Sequence, residues 1–299
     1  LPAHTARKPD SLRGHFYVRH AQPIPDLLRE SRRLVVTDSP WWHLGDIMAS
    51  PRVRIQVCGP LMVEIDGERV ESRVPGRQGR LLLDFLVLRR HEPVSQPQLI
   101  DALWPADPPG AAGTAVYSLL SKLRAALGYG LLSGRGDVKL ALPSDAWVDI
   151  EAARAGIHSA ESAQALGQWG RAWGAAQISL FVARRGFLPD EEAAWAVPVR
   201  HELEDMYVRS LETYAAAALH VAGAELPTAE RAARELIAAA PFRESGHRTL
   251  MRALATQGNT AEAIAAFGRM REVLSEELGV DPSPASRALY ENLLTAQVE

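Results

Sequence analysis

Between Val53 and Leu142 the hydrophobic period of this chain switches from two to about 3.6 and back to two, an order that few folds can satisfy. Val53, Ile55 and Val57 alternate with Arg52, Arg54 and Gln56. Leu61, Val63 and Ile65 alternate again, and Asp66-Gly67 supplies the left-handed positions of a tight hairpin before Val70. Helical spacing then takes over residues 79–90 through Leu81, Leu82, Phe85, Leu86 and Leu88. Ser95 and Gln98 spell a capping box with Pro97 in the first turn, opening a helix through Leu99, Ile100, Leu103 and Trp104. The third helical stretch is the clearest: Val116, Leu119, Leu120, Leu123 and Leu127 make one apolar stripe, which Gly128 ends. Leu131-Leu132, the turn Gly134-Arg135-Gly136, and then Val138, Leu140 and Leu142 return to alternation as a second hairpin.

Strands, three helices and a hairpin, in that order, predict a winged helix-turn-helix of the response-regulator type, with a small antiparallel sheet and a wing. After Asp149 the texture is alanine-rich and helical, with helices predicted near 150–160, 163–181, 191–221, 227–239, 243–257, 260–278 and 284–295. Leu219 and Gly223 recur as Leu254 and Gly258, close to the tetratricopeptide period of about 34, with Ala261, Ala265 and Phe267 in its small-small-aromatic positions. The expected fold is therefore mainly α: the winged helix-turn-helix over 48–149, then an all-α, tetratricopeptide-like domain over 150–299. Residues 1–47 hold scattered prolines and histidines and a Trp41-Trp42 pair without either period. They read as a poorly ordered extension or linker with a short helix near 25–33. Met48 heads a natural beginning for the next domain, and a linker from an upstream domain is the competing reading.

The formal charge of −3 over 299 residues argues against a histone-like protein or a polybasic membrane binder, and it divides unevenly. It is +2 over residues 1–49, +1 over 50–150 and −6 over 151–299. No stretch approaches the length of about 18 apolar residues that a membrane span needs. The first residues lack the pattern of a secretory signal, so a cytoplasmic chain is expected. A single cysteine, Cys58, can form neither an internal disulfide nor a cysteine cage for zinc, and its strand position reads as a buried, inert thiol. Phosphate loops, metalloprotease helices and nucleophile elbows are absent from the sequence, so neither an enzyme nor a cofactor or metal site is expected. Glu191-Glu192 and Glu276-Glu277 read as solvated helix charges.

Rotation by about 100° per residue puts Thr114, Ser118, Ser121 and Ala125 opposite the apolar stripe of the third helix, flanked by Tyr117 and Lys122. The plain reading is the polar outer face of a core helix. The functional one is a DNA-binding recognition helix, with Thr114, Ser118 and Ser121 toward base edges, Tyr117 flanking them, and Lys122 and Arg124 toward phosphates. Arg135 and Lys139 add charge to the wing. Arg73, Arg77, Arg80, Arg89 and Arg90 form a basic cluster around the first helix, against Glu71, Asp84 and Glu92.

The segments VRIQVCGPLMVEIDGERV, GRQGRLLLDFLVLRRHEPVSQPQLIDALWP, AVYSLLSKLRAALG and EELGVDPSPASRALYENLL resemble the Streptomyces antibiotic regulatory protein (SARP) family, over about residues 52–295. The resemblance implies an actinobacterial activator joining a winged helix to a bacterial transcriptional activator domain. It further implies binding to direct repeats in double-stranded promoter DNA as a homodimer, recruitment of RNA polymerase through its sigma factor, and control of secondary metabolism. By position, residues 116–127 match the recognition helix, 131–142 the wing, and Arg77 and Arg80 the basic start of the first helix. Trp104 matches an aromatic that packs at the end of the second. The chain departs from the family at Gly113, Thr114 and Ala125, where basic residues are frequent, and at Leu119, where a polar residue is. Each missing phosphate contact flattens the salt dependence of binding by about 0.9. The alternative is an interaction scaffold that keeps the winged helix as a relic.

Overall fold

The computed structural model describes residues 52–128 and 130–295, so the expectations for residues 1–47, including the helix near 25–33, lie outside the described residues. Strands β1 (Val53–Gln56), β2 (Met62–Ile65) and β3 (Glu68–Arg69) form an antiparallel meander, in which Ile55 pairs with Val63 and Ile65 with Glu68. Asp66 and Gly67 take the β2–β3 turn at φ 49° and 84°, the left-handed pair that a twisted two-residue hairpin requires. A fourth strand, β6 (Trp147–Val148), pairs with β1 in parallel, giving the order β3-β2-β1-β6. The sheet is thus mixed rather than purely antiparallel.

Helices α1 (Gly76–Leu88), α2 (Gln96–Leu103) and α3 (Ala112–Leu127) follow the sheet. The capping box at Ser95 is formed, with Gln98 Oε1 accepting from the Ser95 N–H at 2.8 Å. Trp104 closes α2 half-buried against the core. The wing is β4 (Leu132–Ser133) with β5 (Lys139–Leu140), and Val138 bridges back to Val94.

The helical half contains α4 (Asp149–Ala165), α5 (Trp169–Ala183), α6 (Val197–Val221), α7 (Leu226–Ala239), α8 (Glu244–Thr256), α9 (Thr260–Leu278) and α10 (Pro284–Thr295). Two boundaries differ from the sequence expectation. The first break falls at 166–168, where Gly167 adopts φ 69°. The helix expected from residue 191 begins only at Val197, after a loop that buries Phe187, Leu188, Ala193 and Ala196. Close packing in this half rests on small side chains: a Cβ on Gly156 would stand 3.2 Å from the Ala175 carbonyl oxygen, so glycine lets α4 and α5 approach. In α9 the inward small residues are Ala263 and Ala266, beside Phe267, whereas Ala261 and Ala265 face solvent, so the expected small-small positions are wrong at both, and their phase is set by the helix start at Thr260.

One buried cluster crosses both halves. It runs from Ile55, Val63, Leu82, Leu99 and Leu123 into Ile150, Ile157, Phe187, Leu203 and Met206. A second cluster, built on Leu211, Leu236, Met251, Phe267 and Met270, holds the later helices together. Among the described residues no helix is long and apolar enough to cross a membrane.

Candidate nucleic-acid interface

Helix α3 buries Val116, Leu120, Leu123 and Leu127 and leaves Thr114, Tyr117, Ser118, Ser121, Lys122 and Ala125 in solvent. Tyr117 is 50% exposed, a large aromatic ring left uncovered at the centre of this face. One departure from the expected pattern has a packing reason: Leu119 is half-buried against the core, so a polar side chain there would be desolvated. At Gly113 a Cβ would stand 2.8 Å from Gln96 Nε2, the far end of a flexible side chain that can move aside, so packing does not demand glycine there. Around this helix, Lys122, Arg135 and Lys139 are exposed and make no ion pair among the described residues. Arg135 sits in the tip of the wing between Gly134 and Gly136, and Lys139 begins β5.

The remaining predicted contacts already have partners within the protein, although Arg77 keeps a largely exposed side chain. Arg124 is half-buried and donates to the carbonyls of Leu132 and Gly134 at 3.3 and 2.7 Å. Arg80 donates to the Gly59 carbonyl at 2.7 Å and lies 3.5 Å from Asp84. Arg77 meets Glu191 through its Nε at 2.8 and 2.9 Å. Glu191 is therefore not a solvated helix charge: it sits in the loop before α6, which Arg200 braces by donating to the Phe187 and Leu188 carbonyls at 3.1 and 2.6 Å. The other arginines of the first-helix cluster are occupied too. Arg73 pairs with Glu68, Arg90 with Glu151 at 2.5 and 2.7 Å, and Arg89 lies over the Phe85 ring. Glu276 and Glu277 are exposed.

Sequence reasoning missed the junction that absorbs these charges. Asp149, fully buried, accepts from the backbone N–H groups of Val57 and Cys58 at 3.0 Å each, and from Arg185 at 3.1 Å. Gly59 N–H donates to the Gly186 carbonyl at 2.9 Å, and Trp195 Nε1 donates to the Ala102 carbonyl at 3.0 Å with its ring edge-on to Phe85. Burial pushes the Asp84 carboxyl up to about 7, against the opposing pull of Arg80. Burial likewise pushes the Cys58 thiol up, in keeping with an inert side chain. Among the described residues no group of histidine, cysteine and carboxylate side chains is arranged to hold a metal ion.

The family model of the bacterial transcriptional activator domain matches residues 148–294. The chain is 32% identical over 248 residues to the regulatory protein AfsR of Streptomyces coelicolor, covering 83% of this chain and 25% of that protein. It is 30% identical over 276 residues to the transcriptional regulatory protein EmbR of Mycobacterium tuberculosis, covering 85% and 66%. The chain thus spans about a quarter of the length of AfsR. A solved structure, Mycobacterium tuberculosis EmbR in complex with a low affinity phosphopeptide, superposes with a TM-score of 0.69 at 27% identity, over 82% of this chain and 66% of that one.

Proposed function

The chain belongs to the Streptomyces antibiotic regulatory protein family of transcriptional regulators, and from that membership we propose that it is a promoter-binding activator. In this reading residues 48–149 bind duplex DNA and residues 150–299 contact RNA polymerase through its sigma factor, with two copies on repeated sites. The regulated genes serve secondary metabolism. The observation that carries the reading is the open face of α3 and the wing. Polar Thr114, Ser118 and Ser121 with Tyr117 lie where base edges would be met, and the unpaired cations Lys122, Arg135 and Lys139 lie where phosphates would. Arg77, Arg80 and Arg124 take supporting roles, because each already has partners within the protein.

The test is a gel shift of the full chain against DNA upstream of its own gene and of neighbouring genes, over a salt series, followed by a reconstituted transcription assay. Sequence-specific binding that weakens linearly in log salt, with transcription raised on the bound promoter, is the expected result. Absence of binding at low salt, with and without polymerase, would overturn the reading in favour of a scaffold that keeps its winged helix for structural reasons.

A further inference from the structure

Within the wing the Leu131 carbonyl accepts from the Ala141 N–H at 2.7 Å, so the strand turns that carbonyl toward β5. Carbonyls along a strand alternate in direction, so that of Leu132 points away from β5, along the free edge of the hairpin, and the Gly134 carbonyl, in the turn just past β4, is met from the same side by Arg124. Two acceptors on one open edge are what a third strand would pair with. Here the guanidinium of Arg124 stands in for that strand, its Nε donating to the Leu132 carbonyl at 3.3 Å and its Nη2 to that of Gly134 at 2.7 Å. A planar fork with two donors on one side suits this spacing, whereas an ammonium would reach one carbonyl at a time. The second acceptor is itself fixed. Gly134 turns at φ 89°, and a Cβ there would fall 1.9 Å from the Asp137 carbonyl oxygen, so only glycine makes the turn. On the opposite side the N–H groups of Val94 and Val138 each donate to the other's carbonyl at 2.8 Å.

The wing is thus held by a backbone bridge on one edge and by a side chain of α3 on the other. We propose that Arg124 is a positioning residue for DNA binding: it locks the wing to the recognition helix so that Lys122, Arg135 and Lys139 reach one duplex together. This inference rests on the DNA-binding reading above.

The test uses the full chain, the promoter duplex and a salt series, with Arg124→Met, Arg124→Lys, the double variant Arg135→Ala/Lys139→Ala, Lys122→Ala, and their combinations. Arg124→Met is expected to weaken binding by about tenfold and to lower the salt slope by about 1.8, the contribution of two phosphate contacts. Adding Arg135→Ala/Lys139→Ala to it changes little further, whereas adding Lys122→Ala still lowers the slope by about 0.9. Arg124→Lys, which keeps the charge and loses the fork, behaves like Arg124→Met; should Arg124→Met fail to fold by circular dichroism, the lysine variant carries the test. Wild-type binding by Arg124→Lys, with strictly additive combinations, would identify a direct phosphate contact and overturn the positioning role. Unchanged binding by both Arg124 variants would overturn it as well. A wild-type chain that binds no duplex at low salt would instead overturn the functional reading on which it stands.

Discussion

The arginines of α1 and the cations of α3 and the wing look alike in the sequence and differ in what surrounds them. Arg77, Arg80 and Arg90 meet Glu191, the Gly59 carbonyl and Glu151, two of the three from the helical half or its entry loop. Lys122, Arg135 and Lys139 meet solvent. Arg77 and Arg90 join two halves of one body, Arg80 ties α1 to the segment after β1, and the second set is hydrated. What separates the two sets here is the company that the fold assembles around each from distant chain.

The comparison breaks or sharpens at three places. The largest effect is expected at the junction. Asp149→Ala leaves the Arg185 guanidinium and the Val57 and Cys58 amides without their buried acceptor, and should cost about 3–5 kcal/mol in urea unfolding. A loss below about 1 kcal/mol, the range of an exposed ion pair, would mean that the two halves are not joined through this carboxylate.

The next effect depends on pH. The Asp84 carboxyl rises from its ordinary 3.8 to about 7 in the folded protein, so across that window the folded state holds a proton that the unfolded chain has released. Stability is therefore greatest below about pH 4 as far as this group is concerned, and is lost progressively as pH climbs toward 7. Asp84→Asn should flatten that part of the profile and melt higher than wild type at pH 8, with little difference at pH 4. Parallel profiles for the two proteins would show that Asp84 is charged in both states.

The smallest effect separates the two sets of cations directly. Lys122→Ala should lower the salt slope of duplex binding by about 1 without moving the melting temperature, and Arg77→Ala should leave that slope unchanged. If Arg77→Ala lowered it equally, α1 would face the duplex after all and the distinction between the sets would fall.

Much of the fold was legible because its signals are local. The stripe of α3, the capping box at Ser95, the Asp66-Gly67 turn and the start of α10 at Pro284 each lie within a few residues and depend on little else. What escaped is long-range or depends on phase. Strand β6 is two residues long, too short to show alternation, and it is recruited by β1 from across the whole winged half. Glu191 finds Arg77 across 114 positions, and no local pattern marks a carboxylate for such a partner. Arg124 lies beside Lys122 in sequence, yet the rotation between them turns one toward the wing and the other toward solvent. The exposed polar face of α3 was readable from helical rotation alone, whereas the depletion of free cations around α1 required the fold.

The parallel pairing of β1 with β6 also orders events during synthesis. Arg54 lies opposite Trp147 and the Val57 amide waits for Asp149, so the first strand cannot complete its sheet until more than ninety further residues have been made. At about 5–20 residues per second that is roughly 5–18 s of translation, during which one edge of β1 has no partner. The winged half therefore completes its sheet last, when the chain that opens the helical half arrives.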